Sequence, residues 1–290
     1  MRADASRAPS LDDLRRRDEA VAAVLGWYRR AARNLPWRRT RDPYAILVSE
    51  VMLQQTQVAR VVPRWEAWLE RWPTAAALAD AERHDVLGAW VGLGYNSRAV
   101  RLQDACAIVA RDGWPTDAAG LRRLPGVGPY TAAAVASFAF GEAVAAVDTN
   151  VVRISERLAL GTPEELLPPD DPATWNQAAM ELGATICRAR DAGCERCPAE
   201  PWCASAHAVE IRPRAAPGTR ERFEDSTRYV RGRIVAAVTQ GGPLPDDLDA
   251  ERVERALAGL VRDGLLRRDQ DGVVRVAGGR EGADSGQAVR

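Results

Sequence analysis

The chain has 290 residues, 46% of them hydrophobic and 28% charged, enough for a large core and two or three compact units of ordinary globular character. Lys plus Arg and Asp plus Glu both number 40, so net charge gives no argument for a polyanionic partner, although a basic face offset by acid elsewhere is compatible with one. No apolar run nears the roughly 18 residues of a membrane span. The polar start, MRADASRAPSLDDLRRRDEA, lacks the apolar middle of a secretion signal, so a cytoplasmic protein is expected.

Residues 1–10 read as disordered. From Leu11 to Arg33, Leu14, Val21, Val24, Leu25 and Tyr28 recur at steps of three and four, which predicts a helix with one buried face. Helices are then expected over Pro43–Gln54, Gln57–Trp72, Thr74–Ala79, Arg83–Val91, Ser97–Arg111 and Asp117–Leu124, broken by prolines and small polar residues. Tyr130–Phe140, Thr149–Leu160 and Pro172–Cys187 complete the series, with a surface loop at 161–171. Strand-like alternation is almost absent, so residues 11–210 form an all-α region. The Pro- and Arg-rich stretch at 211–225 reads as a linker. After it come helices at Thr227–Thr239 and Ala250–Asp263, then a hairpin of Leu265–Arg268 and Val273–Val276 around Asp271-Gly272. Two helices and a hairpin suggest a small winged-helix-like module at 226–277, with 278–290 as a disordered tail.

Four of the five cysteines are spaced Cys187-x6-Cys194-x2-Cys197-x5-Cys203. Crowded thiols in a chain without a secretion signal read as metal ligands before disulfides. Ligand type alone leaves a structural zinc ion and an iron–sulfur cluster both open. Arg188, Arg190 and Arg196 in this loop either meet phosphates or are simply solvated. Cys106 falls at helical spacing with Leu102 and Val109 and reads as a core thiol, as most of the nine tryptophans read as core. His84 and His207 stand outside any motif.

The string LPGVGPYTAAAV places Gly126, Val127 and Gly128 immediately before a small-residue helix. Glycines there permit a tight turn and let backbone N–H groups approach a phosphate lying off the helix N-terminus. Two carboxylates also stand out. Glu50, in SEVMLQQTQV, is an acid among Val48, Val51, Met52 and Leu53, and apolar company favours a protonated, proton-donating carboxyl; otherwise it is a helix-surface glutamate. Asp148, in VDTN, stands where it could also cap the next helix.

SEVMLQQTQV (49–58), LPWR (35–38), GLGY (92–95), LPGVGPYTAAAV (124–135) and VDTN (147–150), together with the cysteine spacing, resemble the MutY family of adenine DNA glycosylases in the endonuclease III, or helix–hairpin–helix, superfamily. The likeness runs in order from about residue 20 to 207. It implies a two-lobed glycosylase fold: a central lobe at 35–147 with the helix–hairpin–helix at 117–140, and an iron–sulfur lobe built from 11–34 and 148–210. It implies a 4Fe–4S cluster on Cys187, Cys194, Cys197 and Cys203. It further implies that Glu50 protonates adenine N7 and later positions water, while Asp148 stabilises the cationic sugar, with a transient covalent bond to the anomeric carbon as one route. Asn150 and Tyr130 support that site, Arg38 lines the adenine pocket, Gln55 and Tyr95 enter the base stack, and Gly126–Gly128 grip the DNA backbone.

Strand-cutting members of the superfamily carry a nucleophilic lysine where this chain has Tyr130, so no Schiff-base lyase step is expected. The expected substrate is duplex DNA with adenine opposite 8-oxoguanine or guanine, handled by a monomer. The roughly 65 residues after the linker are too few for the Nudix-like domain of many relatives, which implies a weaker preference for 8-oxoguanine. A G:T-mismatch thymine glycosylase and a non-catalytic iron–sulfur DNA-binding protein are the alternatives.

Overall fold

The computed structural model of the chain describes residues 10–209 and 221–278. The expectations for the two termini and for most of the linker lie outside the described residues. Phe223–Asp225, at the linker's end, forms a 3-10 turn. Among the described residues, no helix is long and apolar enough to cross a membrane.

The helices are α1 (Leu11–Ala31), α2 (Pro43–Leu53), α3 (Val58–Arg71), α4 (Ala75–Ala79), α5 (Arg83–Trp90), α6 (Ser97–Asp112), α7 (Ala118–Leu121), α8 (Pro129–Phe140), α9 (Thr149–Leu158), α10 (Pro172–Thr185), α11 (Thr227–Gln240) and α12 (Ala250–Arg262). The all-α expectation for the first 210 residues holds. Short polar side chains start several helices as caps: Ser10, Thr74, Asp117 and Ser226 each accept from a backbone N–H in the first turn. Four helix ends, those of α1, α7, α9 and α10, fall two or three residues short of the periodicity. Helix α7 stops at Leu121 rather than Leu124, since Pro125 disfavours a helical residue before it. Helix α9 stops at Leu158 rather than Leu160, because Ala159 turns left-handed at φ 54.

Two compact units emerge. The first joins residues 1–46, 116–123 and 127–215. Here α1 buries Val24 and Leu25 with Ile154 and Leu158 of α9 and with Trp175 and Leu182 of α10, and Cys187, Cys197 and Cys203 pack against the same cluster. A second cluster sets Ala133 and Ala134 of α8 beside Ala146 and Met180, small residues that let α8 approach α10 closely. The helix–hairpin–helix was expected in the central lobe. This packing instead places α7 and α8 in the first unit, and the division falls inside α2 rather than at residue 35.

The second unit joins residues 47–115, 124–126 and 216–290. Trp68 meets Trp72 and Trp90 edge-on, at ring separations of 4.7 and 5.4 Å. Buried Gln103 of α6 donates to Leu78 O and Ala81 O, closing the end of α4. Cys106 is fully buried, and burial pushes its thiol up to about 12. The C-terminal module has the expected order of two helices and a hairpin. Strands β1 (Leu266–Arg268) and β2 (Val274–Val276) pair antiparallel, with Leu266 opposite Val276 and Gly272 at φ 81 in the turn. Helix α11 buries Val230, Ile234, Val235 and Val238 and packs on α5. A Cβ on Gly88 would lie 3.6 Å from Thr239 Cβ, an ordinary contact, so there is room for a methyl group there but not for a longer side chain.

Candidate active site

In the first unit the VDTN segment makes the start of α9. Asp148 is its N-cap: Oδ1 accepts from the backbone N–H groups of Asn150 and Val151, both at 2.8 Å, and Oδ2 accepts from Asn150 Nδ2 at 2.7 Å. Capping and a site role are therefore not exclusive. The positive end of the helix faces the carboxylate, and three N–H donors fix its plane. Asp148 and Tyr130 line one open cavity of about 940 Å³, with Val152, Arg153, Arg157 and Arg190 along its wall. Tyr130, in the first turn of α8, donates to Met180 Sδ at 3.4 Å. The arginines make the wall suited to a polyanion.

Arg153 escaped the sequence reading. Its guanidinium donates to Asn150 Oδ1 at 2.7 Å, Gly183 O at 2.8 Å and Cys187 O at 2.9 Å, so it ties the partner of Asp148 to the start of the cysteine loop. A Cβ on Gly183 would lie 2.5 Å from Asn150 Cβ, so this approach of α9 and α10 needs glycine. Arg38 is drawn into another group. It donates to Glu181 Oε2 at 2.7 Å and to Arg33 O at 3.1 Å, with its guanidinium 5.4 Å from the Tyr28 ring centroid. Arg33 grips the same carboxylate in a fork. Burial alone would raise Glu181, yet the bonds from Arg33 and Arg38 hold its carboxyl at about 2. Arg38 is thus a strut between α10 and the LPWR turn.

The four cysteines surround a second cavity with Arg157, Ile186 and Gly193 on its walls. Arg157 donates to Cys187 Sγ at 3.1 Å and accepts, through its backbone oxygen, from Cys203 Sγ at 3.3 Å. His207, which no motif singled out, points its backbone N–H at Cys194 Sγ at 3.5 Å. Burial, reinforced by the three neighbouring thiols, pushes Cys197 up to about 11. Of the loop arginines, Arg188 is paired with Asp191, Arg196 lies against Gly193, and exposed Arg190 faces the Asp148 cavity.

The second unit carries the other half of the candidate residues. Glu50 is 6% exposed, among Leu47, Val48, Val51 and Met52, so it is no helix-surface glutamate. Gln55 and Tyr95 share a backbone peculiarity: at φ 56 and φ 50 they are two of the four non-glycine residues in left-handed conformation among the described residues. Such strain costs on the order of 1–3 kcal/mol per residue and gathers at functional sites. One side chain holds both turns. Arg98 donates to Val51 O and Gln54 O, each at 2.7 Å, and to Leu93 O at 3.0 Å and Gly94 O at 2.9 Å. Burial lowers this guanidinium to about 10. Gly92 and Gly94, at φ 92 and 73, supply the rest of the GLGY turn.

At the hairpin, Gly126 adopts φ 77 and a Cβ there would lie 2.8 Å from Arg101 Cβ, so glycine is required on both counts. Gly128 is the N-cap of α8, with no side-chain cap and open space where a Cβ would stand. Pro129 opens the helix with no N–H of its own. The side chain of Val127 is buried, leaving its backbone as the part that can meet a ligand.

Residues 48–169 match the family model of the HhH-GPD superfamily of base excision DNA repair proteins. The chain is 40% identical over 277 residues to an adenine DNA glycosylase of Mycobacterium tuberculosis, covering 86% of this chain and 90% of that one. It is 40% identical over 283 residues to the adenine DNA glycosylase of Mycolicibacterium smegmatis, with 88% and 95% covered. The human adenine DNA glycosylase is 41% identical over 224 residues, which is 68% of this chain but 41% of that protein. Among solved structures, a thermostable thymine-DNA glycosylase superposes with a TM-score of 0.63 at 28% identity, covering 67% of this chain and 98% of the other. A trapped endonuclease III–DNA covalent intermediate gives 0.58 at 25% identity, with 67% and 97% covered.

Proposed function

The chain belongs to the MutY family of adenine DNA glycosylases within the helix–hairpin–helix superfamily, and on that premise we propose that it releases adenine opposite 8-oxoguanine or guanine and leaves the abasic strand intact. It is a DNA N-glycosylase of base excision repair. The observation that carries the finer reading is Asp148: a carboxylate clamped by three N–H donors at a helix start, on a cavity it shares with Tyr130.

In this reading Glu50 is the acid that protonates adenine N7, turning the base into a neutral leaving group. Its burial, in place of the solvent exposure of a helix-surface glutamate, is what supports the role. As the glycosidic bond breaks, positive charge develops on the sugar, and the Asp148 carboxylate opposes it at fixed distance. Asn150 keeps that carboxylate in plane. Tyr130 brings a phenol where an amine nucleophile would be needed for strand cleavage, so water completes the reaction. Gln55 and Tyr95, held ready in their turns by Arg98, enter the stack vacated by the extruded adenine. The turn at Gly126–Gly128 and the positive end of α8 receive a DNA phosphate.

Cys187, Cys194, Cys197 and Cys203 hold a 4Fe–4S cluster in this proposal, whose chemistry there is to lock the loop by four thiolate bonds. The donor set fits. Four cysteine thiolates are the ligand set of such a cluster, and here the four line one cavity.

The test is single-turnover cleavage of duplexes containing A:8-oxoguanine, A:G and T:G, with and without alkali. Adenine release with scission only after alkali is expected, and Glu50→Gln abolishes it. Thymine release from T:G would move the chain to the mismatch branch. Scission without alkali would overturn the role given to Tyr130.

A further inference from the structure

Tyr95 does not stand alone on the surface of the second unit. It is 42% exposed, and its ring has the Arg98 guanidinium 5.6 Å and the Arg228 guanidinium 5.4 Å from its centroid. Arg228, from the first turn of α11, also donates from Nη1 to the Tyr95 hydroxyl at 3.2 Å and lies 5.0 Å from the Phe223 ring. Phe223 is itself 51% exposed and meets Tyr229 edge-on at 5.5 Å. Arg98, Tyr95, Arg228 and Phe223 thus form a run of alternating cations and aromatic faces, the kind of surface on which bases stack.

Charge separates Arg228 from its neighbours. Helix α11 carries three arginines, Arg228, Arg231 and Arg233. Arg231 is paired with Asp263 at 2.6 Å and Arg233 with Asp247 at 2.8 Å, inside their own module. Arg228 is exposed and has no carboxylate in ion-pair range among the described residues. One of its five N–H donors is occupied by Tyr95, and the others remain available. Its position is nevertheless fixed. Ser226 caps α11, α11 packs on α5, and α5 ends at Trp90, whose Nε1 donates to Gly94 O beside Tyr95.

Resting on the reading that Tyr95 enters the stack beside the purine opposite the extruded adenine, we propose that Arg228 is a specificity-determining residue that donates to acceptor atoms of that opposite purine. The C-terminal module is then part of the recognition surface. A guanidinium fork fits O6 and N7 of guanine; in 8-oxoguanine N7 becomes an N–H donor, but O6 remains and O8 is added as an acceptor, so an N–H bond to O6 serves both purines. Cytosine offers a donor at the corresponding edge instead.

The experiment is single-turnover excision of adenine opposite 8-oxoguanine, guanine and cytosine by the wild type, Arg228→Gln, Arg228→Lys and Arg231→Ala, over a range of salt. Arg228→Gln is expected to slow excision opposite the two purines roughly tenfold while leaving the cytosine duplex unchanged, a loss of discrimination of the size a good base contact supplies. Arg228→Lys restores part of it, and Arg231→Ala behaves as wild type. A uniform loss on all three duplexes, with a salt slope shallower by about one, would make Arg228 a phosphate contact and overturn the proposal. No change would reduce it to a packing contact, and faster excision would make it a cover over Tyr95; either outcome also overturns it. Tyr95→Ala separates the premise: discrimination that survives this change refutes the reading of Tyr95, whatever Arg228 does.

Discussion

Replacing Asp148 by Asn keeps an oxygen that can accept from the N–H groups of Asn150 and Val151 but removes the negative charge. Asp148→Ala removes both. The first variant should therefore lose excision with almost unchanged thermal stability. The second should lose excision and also about 1 kcal/mol, the usual worth of a helix N-cap. Thermal unfolding beside single-turnover kinetics separates the two roles, and a large drop in Tm for Asp148→Asn would mean that the charge serves the fold. Glu181 makes the opposite case, a carboxylate that serves structure alone. Its folded value of about 2 lies below the ordinary 4.5, so its stabilisation is complete above about pH 4.5 and is lost as pH falls towards 2. The shift corresponds to roughly 3 kcal/mol. Glu181→Gln should be less stable at neutral pH by about that amount, and its unfolding free energy should fall less steeply between pH 5 and 2 than the wild type's. Parallel curves for the two proteins would refute the account.

The helices themselves were largely legible. Apolar steps along α1, caps such as Ser10 and Asp117, and the Asp271-Gly272 turn each announce their element through local chemistry. Misplaced ends arise where tertiary contacts overrule local preference, as at Ala159, a residue with no intrinsic leaning to the left-handed region. The candidate site was legible where residues stand in runs. Glu50, Asp148 and the cysteines belong to strings, whereas Arg98, Arg153 and Glu181 are single charges on helices and look solvated until their partners are seen. Helix-on-helix contact was not legible at all, and Gly88 shows why. Its missing side chain has no consequence within α5 and matters only against Thr239 of α11. Gly88→Ala should be tolerated, since a Cβ at 3.6 Å from its neighbour is an ordinary contact and alanine favours the helix. Gly88→Leu should lower Tm by several degrees by forcing α11 off α5. Equal melting temperatures for the two variants would show that this interface does not contribute.

For the whole molecule, the cysteine loop tests whether the proposed cluster is structural. Cys187, Cys197 and Cys203 lie against the core shared by α1, α9 and α10, so losing the cluster should loosen more than the loop. Oxidative removal of iron, followed by visible absorbance, should be accompanied by a lower Tm and weaker DNA binding in parallel. Bleaching without any change in unfolding would show that the thiols pack adequately alone.

The arrangement of that core bears also on how the protein comes into being. Helix α1 leaves the ribosome well before its partners: Trp175 and Leu182 follow some 150 residues later, and Trp202, whose indole donates to Glu19 at 2.9 Å, later still. At ordinary elongation rates of about 5–20 residues per second the nascent α1 waits on the order of ten seconds with its apolar stripe uncovered. The segment from 47 to 115 is complete in that interval, although its own α5 face waits for α11. Synthesis therefore leaves two sticky surfaces uncovered for a time, the stripe of α1 and the face of α5, and these are where a trailing chaperone would find most to hold.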